Sequence, residues 1–394
     1  MDLTDNIKST SPPPIMEAIG WTKGLSLPKD RPLLNLSQAA PVGAPPLEMR
    51  EHLARLVVDD VSVHLYGPDL GLPDLRAQVA SDWSKDYGGQ ITAERVAITS
   101  GCNQAFCASI ASIASAGDAV LLPSPYYFNH FMHLTTMGIE PRLLECNQDM
   151  VPDVKKAASL IDARVRAIVL VTPNNPTGEE YPKGVIHAFY ELAKTNGIPL
   201  ILDETYRDFS QSESRPHDLF EDPDWPETLI HLYSFSKAFR LTGHRVGAMI
   251  ASSHLLVGVE KYIDAVTICP NQLGQRAALF GLQNLKDWVA GERQKILSRK
   301  AKTLEVVSGL SGVTLRSCGA YFAFLEHSFE MTSDLLAERL VKEQSLLVLP
   351  ATMFAPRTET GGNGTAESCL RLAFANTDHA GLDEFARRWR NFSP

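Results

Sequence analysis

No apolar run in this 394-residue chain approaches the ~20 residues that a membrane helix needs. None of its six cysteines (Cys102, Cys107, Cys146, Cys269, Cys318 and Cys369) forms a CxxC pair. No His/Cys cluster has zinc-ligand spacing. A disulfide framework and a bound metal are therefore not expected, and free thiols in a reducing compartment are. Positive charge is not in excess. The formal net charge of −9 argues against a general affinity for nucleic acid or anionic membrane, while leaving room for a local basic pocket. The opening stretch, "MDLTDNIKSTSPPP", has neither an apolar core nor a basic start, so no secretory signal is expected and the cytoplasm is the expected location. No GxGxxG follows a strand-like run and no Walker lysine is present, which removes the usual nucleotide signatures.

What is present is ordinary globular material, 44% hydrophobic and 21% charged. A chain this long buries a sizeable core without staples, and about two or three domains, or one large domain with a satellite, are expected. Residues 1 to about 14 read as a mobile polar arm, and "IMEAIGWTKGL" as a short helix. From about residue 72 short apolar strands alternate with helices. Strands are expected at "RVAIT", "AVLLPSP", "EPRLLEC", "RAIVLVTP", "IPLILDETY", "TLIHLYS" and "VGAMIAS". Wholly apolar strands between helices imply a mostly parallel sheet covered on both faces. After about residue 280 a long charged helix precedes shorter strands such as "AYFAFLE" and "LLVLP", which marks a smaller α+β domain. The expected division is an N-terminal arm and joining segment at 1–45, a large domain at 46–280 and a small domain at 281–394.

Ligands of open parallel sheets bind outside the carboxyl ends of the strands. The segments just beyond the apolar strands of this chain are chemically rich. Gly101, Cys102 and Asn103 open a helix, Tyr126 and Tyr127 form an aromatic pair, and Asn175 sits in "NNPTG". Asp203 and Tyr206 end one strand, and Ser234, Ser236 and Lys237 end another, with Arg245 close behind. Taken singly, each has a plain structural reading: a capped turn, packing, a surface cation. Taken together they match one ligand, a phosphorylated, flat, cationic aromatic ring. Amides of residues 101 to 103, with Ser234 and Arg245, suit a phosphate dianion. Tyr127 suits the ring face, Asp203 the protonated ring nitrogen, and Asn175 and Tyr206 a ring hydroxyl. Lys237 suits the aldehyde, as a Schiff base. That ligand is pyridoxal 5′-phosphate.

The motifs carrying these residues resemble those of fold type I pyridoxal-phosphate enzymes, within them the class I/II aminotransferases. "LYGPDLGLPDLR", "SGCNQA", "SPYY", "TPNNPTG", "DETY", "SFSKAFRLTGHRVG" and "CLRLAFAN" occur in the family's order over most of the chain. The resemblance implies an α/β architecture like that of aspartate aminotransferase and a homodimer with shared active sites. It implies that Tyr66 reaches the neighbouring subunit's phosphate group, with Asn271 also at that interface. It implies that Arg371 grips the substrate α-carboxylate, that Asn175 and Ala39 border the substrate, and that residues 15 to 45 close over it and join the small domain. The chain departs from the pattern at Ala39, Cys102 and Ala355, where glycine is common, and at His244, where an aromatic is frequent. The implied reaction moves an amino group between an amino acid and a 2-oxo acid by a ping-pong route, with Lys237, Asp203 and Tyr206 as catalytic residues. The same cofactor chemistry supports a lyase, synthase or oxidative deaminase. A non-catalytic cofactor-binding regulator is the reading from another class.

Overall fold

The computed structural model describes residues 1–394. A two-residue strand, β1 (Leu34–Asn35), comes first. Seven strands then build the large sheet: β2 (Val96–Thr99), β3 (Ala119–Ser124), β4 (Glu140–Glu145), β5 (Val165–Val171), β6 (Leu200–Asp203), β7 (Leu229–Ser234) and β8 (Gly247–Ile250). Their spatial order is β2-β8-β7-β6-β5-β3-β4. β8 runs antiparallel to both of its neighbours, and every other pair is parallel.

These strands are apolar on both faces because the sheet has a core on each side. Leu200 and Leu202 of β6 enter one core, with Trp83, Tyr87 and Tyr233. Ile201 enters the other, with Ala105, Phe106 and Met249. The period of two thus sorts successive residues onto opposite cores even where no polar residue marks the alternation. β4 is the exception. As an edge strand it is only partly buried, and its Arg142 is ion-paired to Glu140 and Asp162. Strand order reverses between β5 and β3, so a crevice opens at their carboxyl ends.

The small domain is an antiparallel sheet of β9 (Val313–Gly319), β10 (Phe322–His327), β12 (Leu349–Pro350) and β13 (Cys369–Leu372), ordered β12-β13-β10-β9. A separate two-residue strand, β11 (Leu346–Leu347), pairs in parallel with β1 and so ties the N-terminal segment to this domain. The 23-residue helix Lys286–Ser308 links the two bodies. Its Arg293 donates to Ser210 O and Gln211 O, and its Arg299 to Ala375 O. A second joint is made by backbone alone: Gly178 has φ +78°, and a Cβ built on it would lie 2.6 Å from Gly319 N and from Phe322 O. Only a glycine leaves room there.

The N-terminal arm is less free than its composition suggests. Residues Asp5–Ser9 form a single helical turn, and Asn6 Nδ2 donates to Thr136 O at 3.4 Å. Thr10 and Thr136 share a hydroxyl contact at 3.3 Å. Pro14–Gly20 is the expected short helix, with Pro14 in its first turn where no amide partner is required. All six cysteines are unpaired. No helix is long and apolar enough to cross a membrane.

Candidate active site

The crevice holds a cavity of about 470 Å³. Its wall brings together Ala39, Cys102, Asn103, Tyr127, Asn175, Asp203, Tyr206, Ser234, Ser236, Lys237, Arg245 and Arg371. Gly101 lies just outside this wall, beneath Arg245. Tyr66 does not line it and is 79% exposed on the surface.

Each element delivers its residue for a local reason. The helix Cys102–Ile113 begins at Gly101, which has φ +84° and no side chain to cap the first amides. A Cβ on Gly101 would stand 2.4 Å from Arg245 Nη2, so glycine is what allows the guanidinium to sit over the helix start. Arg245 itself is held left-handed, φ 49°, with Nη1 donating to Thr242 O at 3.1 Å. Ser234 ends β7, and its hydroxyl accepts the Ser236 amide at 3.3 Å, turning the chain into the short helix that carries Lys237. Tyr127 donates to Asn103 Oδ1 at 3.3 Å.

Asp203 is 3% exposed, and its Oδ1 accepts both the Thr205 amide (3.0 Å) and the Thr205 hydroxyl (2.7 Å). Its Oδ2 lies 3.5 Å from His130 Nε2. Burial pushes the Asp203 carboxyl above its ordinary range although the Thr205 bonds oppose this. Burial pushes His130 down to about 3, leaving it neutral, and its ring stacks on Phe106 at 3.9 Å. Lys237 is lowered to about 8, by burial first and then by the facing cations Arg371 and Arg245. Its Nζ donates to Ala39 O at 2.5 Å. Arg371 is 1% exposed and sandwiched by Phe322 and Phe354, 4.9 and 4.8 Å from the two ring centroids. Its Nη1 donates to Asn175 Oδ1 at 2.8 Å, Nη2 donates to Ser37 O, and Nε is buried without a partner.

Sequence reasoning did not single out His130 or Thr205. The signal for His130 was its place three residues beyond Tyr127, on one helix face with it. For Thr205 the signal was a hydroxyl two residues after a strand-ending aspartate, an Asx-turn arrangement. It also missed a buried hub behind the sheet. Glu204 points away from Asp203, because it continues the Leu202 face of β6. Its Oε2 accepts from Tyr87 OH and from His231 Nε2 (2.7 Å), with His217 Nε2 at 3.4 Å. Glu204, His217 and His231 bring ligand-type atoms within 4.8 Å of one another. The Leu219 amide donates to His217 Nδ1, however, so the ring proton sits on Nε2 and points at the carboxylate. The hub is a hydrogen-bonded knot. Burial alone would raise the Glu204 carboxyl, but His217 and His231 hold it well below its usual range. His244 is half-buried and burial lowers it, and it does not border the cavity. Asn271 is exposed and caps the helix Gln272–Asn284 by accepting from the Gly274 amide at 2.7 Å.

Comparison with known proteins places this geometry. The family described as aminotransferase class I and II matches residues 31–388. The aspartate/prephenate aminotransferase of Thermus thermophilus is 27% identical over 337 residues, 82% of this chain and 82% of that protein. The aromatic aminotransferase ISS1 of Arabidopsis thaliana is 30% identical over 273 residues, 67% of each chain. The solved aspartate aminotransferase of Thermus thermophilus with maleate is 25% identical, with a TM-score of 0.86 over 98% of this chain and 100% of that one.

Proposed function

We propose, for a chain that belongs to the family of class I and II aminotransferases, a division of labour among the residues of its cavity. The family is pyridoxal-phosphate-dependent, and the chain is an aminotransferase. The residues fit that cofactor on three counts. Asp203 is a buried carboxyl with Oδ1 bonded to Thr205 and Oδ2 3.5 Å from a neutral His130, so a protonated ring nitrogen would supply the charged partner it lacks. The helix start at Gly101 is uncapped beside a guanidinium. Lys237 is an amine lowered to about 8, so a useful fraction is neutral near pH 7.

The amides of Cys102 and Asn103, with Ser234, Ser236 and Arg245, would hold the phosphate; the Gly101 amide, expected to join them, instead donates to Thr99 O at 2.8 Å. Tyr127 would cover the ring face, Asp203 would meet the ring nitrogen with His130 and Thr205 orienting its carboxylate, and Asn175 and Tyr206 would bond the ring hydroxyl. When bound, the cofactor supplies an electron sink for charge developing at the substrate α-carbon. Lys237 Nζ takes the α-proton and gives it back, as base and then acid. Arg371 receives the substrate α-carboxylate; its orphaned Nε is the donor that such an anion would satisfy. Ala39 borders the substrate through the carbonyl that Lys237 touches.

The observation that carries this reading is the convergence of Lys237, Asp203 and Arg371 on one cavity. Mixing the loaded enzyme with an amino acid alone tests it. One equivalent of 2-oxo acid and of the amino form of the cofactor is expected, and an added 2-oxo acid reverses the change. Catalytic release of ammonia or of a leaving group would move the chain to the lyases or oxidative deaminases of this fold.

The large domain is read as 46–280 and the small one as 281–394, with 1–45 joining them. A homodimer is part of the same reading. Val58, Val61, Leu65 and Tyr66 present an apolar patch 60–82% exposed, which a second copy would cover. Tyr66 stands in that patch, where it would meet the phosphate bound by the other subunit.

A further inference from the structure

We infer that the amino donors of this site are amino acids with uncharged, largely apolar side chains, and that Ile15 is a specificity-determining residue for them. The inference rests on the reading of Arg371 as the α-carboxylate anchor.

Arg371 stacks on Phe354, 4.8 Å from its ring centroid, and Phe354 packs on Phe128 at 5.5 Å between centroids. Ile15, from the helix Pro14–Gly20, packs into the same cluster. Ile15 and Phe128 both reach the cavity wall. An apolar surface therefore runs from the carboxylate anchor to the N-terminal helix, and a side chain leaving an anchored α-carbon lies along it.

The charge around the cavity points the same way. Three cations line it, and each is committed: Arg245 to the helix start, Lys237 to the amine chemistry, Arg371 to the α-carboxylate. Apart from Asp203, the other polar side chains of the wall are uncharged amides and hydroxyls. Asn103 is already engaged by Tyr127 and Asn129. A second carboxylate would lose water against Ile15 and Phe128 with no free cation to replace it, a desolvation cost that an ion pair would be needed to offset. An aliphatic, thioether or aromatic side chain gains from the same wall.

Single-turnover measurements on the loaded enzyme test this. Formation of the amino form of the cofactor is followed with leucine, methionine, phenylalanine, aspartate and glutamate. The second-order rate constant for at least one neutral donor is expected to exceed that for aspartate and for glutamate about tenfold or more. Equal or faster reaction of either acidic donor, including through a cation supplied by a partner subunit, overturns the inference and leaves the transamination reading intact. Reaction with none of the five overturns the transamination reading itself. Ile15→Lys is expected to shift the aspartate-to-leucine ratio at least tenfold toward aspartate; an unchanged ratio removes Ile15 as the determinant. Ile15→Ala guards against a folding defect in that variant. It should lower the rate constant for leucine and methionine more than for alanine, and a uniform effect on all three would count against Ile15.

Discussion

Two adjacent carboxylates, Asp203 and Glu204, end one strand and meet opposite fates. Asp203 follows the Ile201 face toward the cavity, where burial raises its proton affinity. Glu204 follows the Leu202 face into the other core, where His217 and His231 keep it ionised against the cost of burial. Lys237 carries the clearest consequence at this scale. Only the neutral amine attacks an aldehyde, and its pKa is lowered to about 8 from an ordinary value of about 10.4. Uptake of pyridoxal phosphate by the cofactor-free protein should thus accelerate with rising pH, with a midpoint near pH 8. Arg371→Gln removes a facing cation and should move that midpoint upward. A stopped-flow pH profile of the visible absorbance checks both. Lys237, Asp203, Asn175 and Arg371 were legible in the sequence because each sits in a short motif that follows or forms a strand. His130 and the Glu204 hub were not, because their partners come from distant segments.

At the scale of elements, the seven strands of the large sheet were legible from their apolar runs. The helices Ser253–Thr267 and Gln272–Asn284 and the strand β9 were not assigned. β9 is only half-buried and carries "TLRSC", so its pattern is diluted. β1 is two residues long, and its existence follows from a tertiary pairing that no local pattern encodes, whereas the expected run "LLVLP" is divided between its partner β11 and β12. The Gly178 joint is another feature of that kind. Gly178→Ala would combine a left-handed backbone with a Cβ 2.6 Å from Gly319 and Phe322 backbone atoms. A loss of roughly 2–4 kcal/mol is expected, seen as a Tm lowered by several degrees. Gly184→Ala, in a helix with nothing within 4 Å of the added Cβ, should leave Tm nearly unchanged or raise it.

At the scale of the molecule, the two-part α/β architecture could be read from the change in rhythm near residue 280. A site shared between two subunits is implied only by family resemblance. Placing a charge in the exposed patch separates assembly from folding. Val61→Asp, at a position 72% exposed, should leave the protomer folded and shift it from dimer to monomer in sedimentation velocity. Pyridoxal phosphate affinity should fall with it, because Tyr66 would no longer reach a neighbour. The segment through Ser37 and Ala39 has a different kind of consequence. It is fastened to the small domain by Leu36 N to Leu347 O (2.8 Å) and Ala373 N to Leu36 O (2.9 Å), and its next carbonyls receive Arg371 and Lys237. The chain therefore carries its own competitor for both cations that the proposed function uses. Because the competing atoms are main-chain oxygens, no side-chain substitution deletes them. The affinity measured for any substrate is then a difference between two occupants, one of which never leaves the chain.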